Sequence, residues 1–224
     1  MTTLDLCLVR SLWRNTQFEV ASSGARGRSG GLVTVWDPNV FKRSRIWCIE
    51  NVVTVEGEVV GSGLICYLVN VYAPHRIRNL ELWDNITRFI TNHEGEFLVF
   101  GDFNAVRHEY ERSNTTFCRQ TSEDFNRFII DSDLVELQMG GRQFTRVDKH
   151  CTRMAKLDRF LMSNGLVDKF PNMVDLEKNE SMDLALKLKL KWGLEGDENS
   201  KIFHYILKKK RRKAAINGVL VDGN

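Results

Sequence analysis

The 224 residues contain no C-x-x-C pair, no apolar run near the roughly 20 residues of a membrane span, and no internal repeat. Each absence closes a class of protein. Five cysteines (Cys7, Cys48, Cys66, Cys118 and Cys151), odd in number and without metal-ligand spacing, argue against a disulfide frame or a zinc site. Free thiols in a reducing compartment are expected, with no disulfide-linked partner. The opening MTTLDLCLVRSLWRN has neither a basic start nor a small-residue cleavage site, so no secretory signal is expected. An intracellular protein of nucleus or cytoplasm, with no membrane partner, is the resulting expectation. Histidine is also scarce late in the chain: none stands between Ser163 and His204.

Net basic charge is confined to one stretch of the chain. Of a net +3, the segment Lys187–Lys213 holds ten Lys/Arg against three acids, a surplus of seven, which leaves the remainder at −4. A nucleic-acid surface spread over the whole domain is therefore not expected; a local one on the tail is. Its run KKKRRK (Lys208, Lys209, Lys210, Arg211, Arg212, Lys213) places six cations within two helical turns. Such a run suits weak, sequence-indifferent contact with DNA phosphates. A solvated helix end offsetting its dipole, or a nuclear-import signal, accounts for it equally well.

What is present alternates in type. At 42% hydrophobic and 27% charged, the composition is that of an ordinary globular domain. GRSGGLVTVWDP (Gly27–Pro38) reads as turn, strand, turn. Asn51–Pro74 reads as two strands joined near Gly57–Gly63, the second (Leu64–Tyr72) nearly continuous in apolar residues, as for a strand covered on both faces. LELWDNITRFI (Leu80–Ile90) puts Leu82, Ile86, Phe89 and Ile90 on one helical face. The strand FLVF follows, then a helix in Ser122–Leu137 with Ser122 as candidate N-cap and Phe125, Phe128 and Ile129 at helical spacing. GGRQFTRV and AKLDRFLMS read as two further short strands. The class is α/β. After Pro171 the texture changes: DLALKLKLKW alternates like a strand but is built of helix formers, and GDENSKIFHYILKKKRRKAA runs from acids to cations as a helix does. Helix is expected there, with a boundary at 175/176.

One stretch points to chemistry. VFGDFNAV (Val99–Val106) is an apolar run that stops at Gly101 and delivers Asp102 and Asn104. In an extended chain, side chains two apart point the same way, so the pair would share a direction at a strand tip, where polar groups reach substrate. An isolated G-D-x-N also reads as a polar turn whose side chains cap local backbone.

Three segments in order, NVYAP (Asn70–Pro74), VFGDFNAV and KLDRFLMS (Lys156–Ser163), together resemble the endonuclease/exonuclease/phosphatase superfamily. Within it, GRSGGLVTVWD, GDFNAVR, GGRQFTR and KLDRFLMS are most similar to the endonuclease domain of plant LINE-type non-LTR retrotransposons. The resemblance covers most of Leu4–Phe170. It implies a two-sheet α/β sandwich of the deoxyribonuclease I type over residues 1–175, here an incomplete one. The segment 176–224 resembles the connector that leads toward a reverse transcriptase.

The implied chemistry is Mg²⁺-assisted hydrolysis of a DNA phosphodiester. By the resemblance, Asp102 orients and deprotonates the attacking water, and Asn104 holds Asp102 or the phosphate. Tyr72 donates to a phosphate oxygen, Asp158 supports the histidine or metal network, and Asn70 and Thr145 face substrate. The superfamily's metal-binding Glu and its closing Ser-Asp-His have no counterpart in this sequence. MTTLDLCLVRSLW aligns just after that Glu, and His204 falls in the connector-like tail, where a packing role is expected. A truncated and inactive endonuclease is the expectation. A non-catalytic nucleic-acid binder using the tail, and a small-molecule phosphoesterase, are the alternatives.

Overall fold

The computed structural model describes residues 17–24, 31–75, 79–137 and 143–170. Eleven strands and three helices lie among them: β1 (Glu19–Ser23), β2 (Leu32–Trp36), β3 (Phe41–Ile49), β4 (Val52–Val59), β5 (Leu64–Tyr72), α1 (Leu80–Thr91), β6 (Glu96–Asp102), β7 (Arg112–Ser113), α2 (Arg119–Asp131), β8 (Leu134–Glu136), β9 (Arg146–Val147), β10 (Met154–Ala155), β11 (Asp158–Ser163) and α3 (Asn164–Lys169). The helix and basic run expected in 176–224, with His204 and Lys208–Lys213, lie outside the described residues.

The main sheet has the order β3-β4-β5-β6-β11-β8. β3, β4 and β5 form an antiparallel meander, whereas β5 and β6 are parallel, so α1 serves as the crossover between them. Burial on both sides explains the near-continuous apolar run of β5. Its odd residues Tyr67, Val69 and Val71 join Val99 and Leu161 under the helices, against Trp83, Ile86, Phe125, Phe128 and Ile129. Its even residues Cys66 and Leu68 join Val53, Val55, Leu98, Phe100, Phe160 and Met162 against Ala21, Leu32 and Trp36 of the β1–β2 hairpin. The result is the expected α/β sandwich: helices, a six-stranded sheet, and a second sheet.

One local expectation is corrected and two are sharpened. The turn joining β4 and β5 falls within the expected Gly57–Gly63, at 60–63, with β4 running on to Val59. Gly57 is glycine for close approach, since a Cβ there would stand 2.5 Å from the Lys42 carbonyl and 2.6 Å from the Phe41 ring. Ser122 is not an N-cap. The helix begins at Arg119 behind Cys118, and the Ser122 hydroxyl donates to the Arg107 carbonyl at 2.5 Å. The α1 face is as read, but Trp83, one position off the expected stripe, is its most buried aromatic at 3% exposure. Trp83 stacks on Phe128 at 5.0 Å and so anchors α1 to α2.

β3 is one of the two outer strands of the main sheet among the described residues, β8 being the other. β3 carries Lys42, Arg43 and Arg45 on exposed positions, with a bulge between Arg43 and Arg45.

Candidate functional site

β5, β6 and β11 bring three polar side chains to one end of the sheet. Tyr72 pairs with Asp102 across the parallel ladder, and Asp102 pairs with Asp158 across the antiparallel one. Register partners share a face, here the even-numbered one toward the β1–β2 hairpin. Asp102 is 3% and Asp158 7% exposed, so both carboxyls lie under the surface rather than on it. Backbone bonds close the strand ends around them: the Ala73 N–H donates to the Asp102 carbonyl at 2.8 Å, and the Phe103 N–H to the Leu157 carbonyl at 2.9 Å.

Asn104 departs from its expected direction. Its φ of +46° turns the chain after Phe103, so the pair does not extend side by side. The Asn104 N–H instead donates to Asp102 Oδ1 at 2.8 Å, and its Nδ2 donates to the Ala73 carbonyl at 2.6 Å. The local-capping reading of G-D-x-N is thus realised for the backbone, and the turn fixes one oxygen of Asp102 in place. Asparagine tolerates left-handed φ better than most residues, which explains the residue type.

Thr145 stands at the entry of β11, where its Oγ1 accepts the N–H groups of Leu157 at 2.9 Å and Asp158 at 3.0 Å. Asn70, on the same sheet face as Tyr72, donates through Nδ2 to the Val33 carbonyl and to Thr34 Oγ1, both at 3.1 Å. That amide joins the hairpin to the main sheet. The structure therefore gathers Tyr72, Asp102, Asn104, Asp158 and Thr145 around one end of three strands, with Asn70 one row below.

The donors for a divalent metal are few. Hard cations such as Mg²⁺ take oxygen ligands, commonly one or two carboxylates completed by water and substrate phosphate. Among the described residues no group of three His, Cys, Asp or Glu side chains gathers in metal-binding proximity. Asp102 and Asp158 are the two carboxylates at this end, and Asp102 Oδ1 is already occupied by the Asn104 N–H. These two carboxylates could hold such a cation only with water and phosphate completing its shell, since no third protein ligand joins them among the described residues.

Behind the site lies a buried ion network that sequence reading missed. Arg159, one residue past Asp158 and on the helix-facing side, is 1% exposed. Its Nη2 donates to Glu111 Oε2 at 2.5 Å, and its Nη1 donates to Glu111 Oε1 at 3.0 Å and Glu136 Oε1 at 2.5 Å. Glu136 also pairs with Lys156 at 2.7 Å and Arg107 at 2.9 Å. The guanidinium lies 5.7 Å over the Phe125 ring. Glu111 further accepts the N–H groups of Arg107 and His108, so the loop leaving Asp102 is tied to the strand carrying Asp158. A signal existed in the sequence: an arginine inside the apolar strand DRFLMS must be paired to be buried.

Burial pushes the Glu136 carboxyl up, but the Arg159 charge and the hydrogen bonds from Lys156 and Arg107 outweigh it and hold the pKa down at about 2. A depressed carboxylate contributes stability above its ordinary value of 4.5 and loses that contribution as pH falls toward about 2. Acid titration followed by tryptophan fluorescence is expected to show stability falling through that window, and Glu136→Gln is expected to flatten the fall. An unchanged acid profile in the variant would remove Glu136 from the acid response.

The profile described as "Endonuclease/Exonuclease/phosphatase family" matches residues 3–177. Among solved structures, the endonuclease domain of TRAS1, a telomere-specific non-LTR retrotransposon, is similar at TM-score 0.53 and 16% identity, covering 67% of this chain and 69% of that one. The 3′ phosphatase NExo from Neisseria, bound to a product DNA hairpin, aligns at TM-score 0.49 and 14% identity, covering 67% of this chain and 68% of that one. The AP endonuclease LMAP from Leishmania major aligns at 0.49 and 14%, covering 68% and 64% respectively. At these identities the likeness shows the fold alone. Among curated proteins, none matches. No helix among the described residues is long and apolar enough to cross a membrane.

Proposed function

This chain belongs to the endonuclease/exonuclease/phosphatase family, and from that premise we propose that its strand-end site is a nucleic-acid phosphodiester site of the retrotransposon-endonuclease kind in which hydrolysis is not completed. The observation that carries the reading is the row Tyr72–Asp102–Asp158, three polar residues in register on one face at the ends of three adjacent strands. A phosphate above that row would meet a phenol able to donate to a phosphate oxygen. It would also meet a carboxylate able to take a proton from water, already oriented by the Asn104 N–H. Thr145 fixes the approach of β11, and Asn70 holds the hairpin under Tyr72.

Two gaps argue against turnover. Members of the family generally work with a divalent metal, and the described residues do not assemble three ligands for one. The sequence also has no counterpart of the family's closing Ser-Asp-His, and losing a positioned acid or base costs about 10²–10⁴ in rate. The order of NVYAP, GDFNAV, GGRQFT and LDRFLMS supports the retrotransposon branch over small-molecule phosphoesterases.

The test is nicking of supercoiled plasmid by the purified chain with Mg²⁺. The expected result is no nicking above an Asp102→Ala variant prepared in parallel. Robust nicking by the wild-type chain, abolished in that variant, would establish a working site and overturn the proposal.

A further inference from the structure

A second group of charges stands beside this site, on the small sheet ordered β7-β10-β9. Its central strand places Ala155 opposite Arg112 on one side and opposite Arg146 on the other. Register partners share a face, so the two arginines rise on either side of a methyl group. Strands lie about 4.8 Å apart, which separates the two Cα atoms by about 10 Å, a span that two long side chains can close over one small anion. Val106, Leu157 and Phe117 pack with Ala155.

Among the described residues, neither guanidinium forms an ion pair with a carboxylate, in contrast to Arg107 and Arg159. Arg112 uses Nη1 to reach the Thr116 carbonyl at 3.1 Å, but its Nε is shut off from solvent without a hydrogen-bond partner. Thr115 Oγ1, three residues on, is in the same condition. Burial and the neighbouring Arg146 charge both push the Arg112 guanidinium down from its ordinary pKa. Two neighbouring like charges, with no carboxylate paired to either among the described residues, suit a multivalent oxyanion, and the arginine fork matches phosphate oxygens. The location ties it to the site: Arg146 follows Thr145, whose hydroxyl holds the N–H of Asp158.

We propose that Arg112 and Arg146 form a phosphate seat that takes a backbone phosphate of the nucleic acid whose adjoining diester lies over Tyr72, Asp102 and Asp158. This rests on the phosphodiester reading given above. The seat positions the strand and reads no base, because both contacts go to phosphate.

The test uses the whole chain, labelled duplex DNA and fluorescence anisotropy without added metal, over a range of salt concentrations. Wild type is compared with the double variants Arg112→Gln/Arg146→Gln and Arg112→Lys/Arg146→Lys, each first matched to wild type by circular dichroism. Loss of two phosphate contacts should make the log–log salt slope shallower by about 1.8. Affinity should fall by about tenfold in the glutamine pair, and the lysine pair should keep most of the slope. A second arm measures the melting midpoint in inorganic phosphate against chloride of equal ionic strength; a rise in wild type that the glutamine pair loses supports the seat itself. Equal duplex affinity and slope in wild type and the glutamine pair overturn the seat and leave the phosphodiester reading standing. Phosphate stabilisation through the arginines with no duplex binding by wild type overturns the nucleic-acid occupant, and with it that reading.

Discussion

Arg159→Met is expected to lower the folding stability by about 3–5 kcal/mol, seen as a fall in the urea midpoint at unchanged slope. The size follows from what the substitution strands. Arg159 is fully enclosed and spans Glu111 and Glu136, whose side chains are each 5% exposed. Glu136 would keep Lys156 and Arg107 as partners. Glu111 would keep only backbone N–H groups, leaving a buried carboxylate without a counter-charge. Adding Glu111→Leu to the first substitution should therefore recover much of the loss, because two apolar groups replace two charges. If the double variant is instead as unstable as the sum of both singles, the pair is not energetically coupled.

Gly101→Ala is expected to cost about 3 kcal/mol or more, combining left-handed strain with overpacking. Gly101 sits at φ +135°, and a Cβ there would stand 2.0 Å from the Val71 carbonyl oxygen, with the Val71 carbonyl carbon and nitrogen at 2.9 and 3.0 Å. These are backbone atoms of the neighbouring strand and cannot swing aside. Relief would require parting β5 from β6 at the Val71–Gly101 rung, next to the one where Tyr72 faces Asp102. Gly61→Ala is the control: it also has positive φ, at +80°, but nothing lies within 4 Å of its Cβ direction. The control should cost only about 1 kcal/mol, as left-handed strain alone does. Similar melting midpoints for the two variants would mean that the close approach at Gly101 is relieved elsewhere.

These two positions mark how far the sequence could be read. Strand tips at Tyr72, Asp102 and Asp158 were legible because each sits where an apolar run meets polar residues. Covering on both faces was legible in β5 because no polar residue interrupts it until Asn70. The turn at Asn104 was not, since parity arguments assume an extended chain and one residue of positive φ cancels them. β3 escaped notice for a related reason: an outer strand exposed along most of its length has no apolar period to detect. The Arg159 network joins residues up to 48 positions apart, and such a pairing leaves no local pattern. Family motifs located the site residues; only the fold showed which of them are already committed to holding one another.

The outer strand β3 also bears on how copies of this chain behave in a crowded solution. A nine-residue strand with Ile46 and Ile49 exposed offers, in principle, a free row of N–H and C=O groups on which another copy could zip itself. Lys42 stands exposed on that strand, and Arg43 and Arg45, paired within the chain to Glu19 and Glu56, crowd it with charged groups that an incoming strand would have to desolvate. The bulge between Arg43 and Arg45 adds an irregularity, and a straight incoming strand would lose its hydrogen-bond phase halfway along. Charge burdens the first contact and the kink spoils the ladder that would follow. Among the described residues, this edge is thereby one along which stacked aggregates do not readily grow.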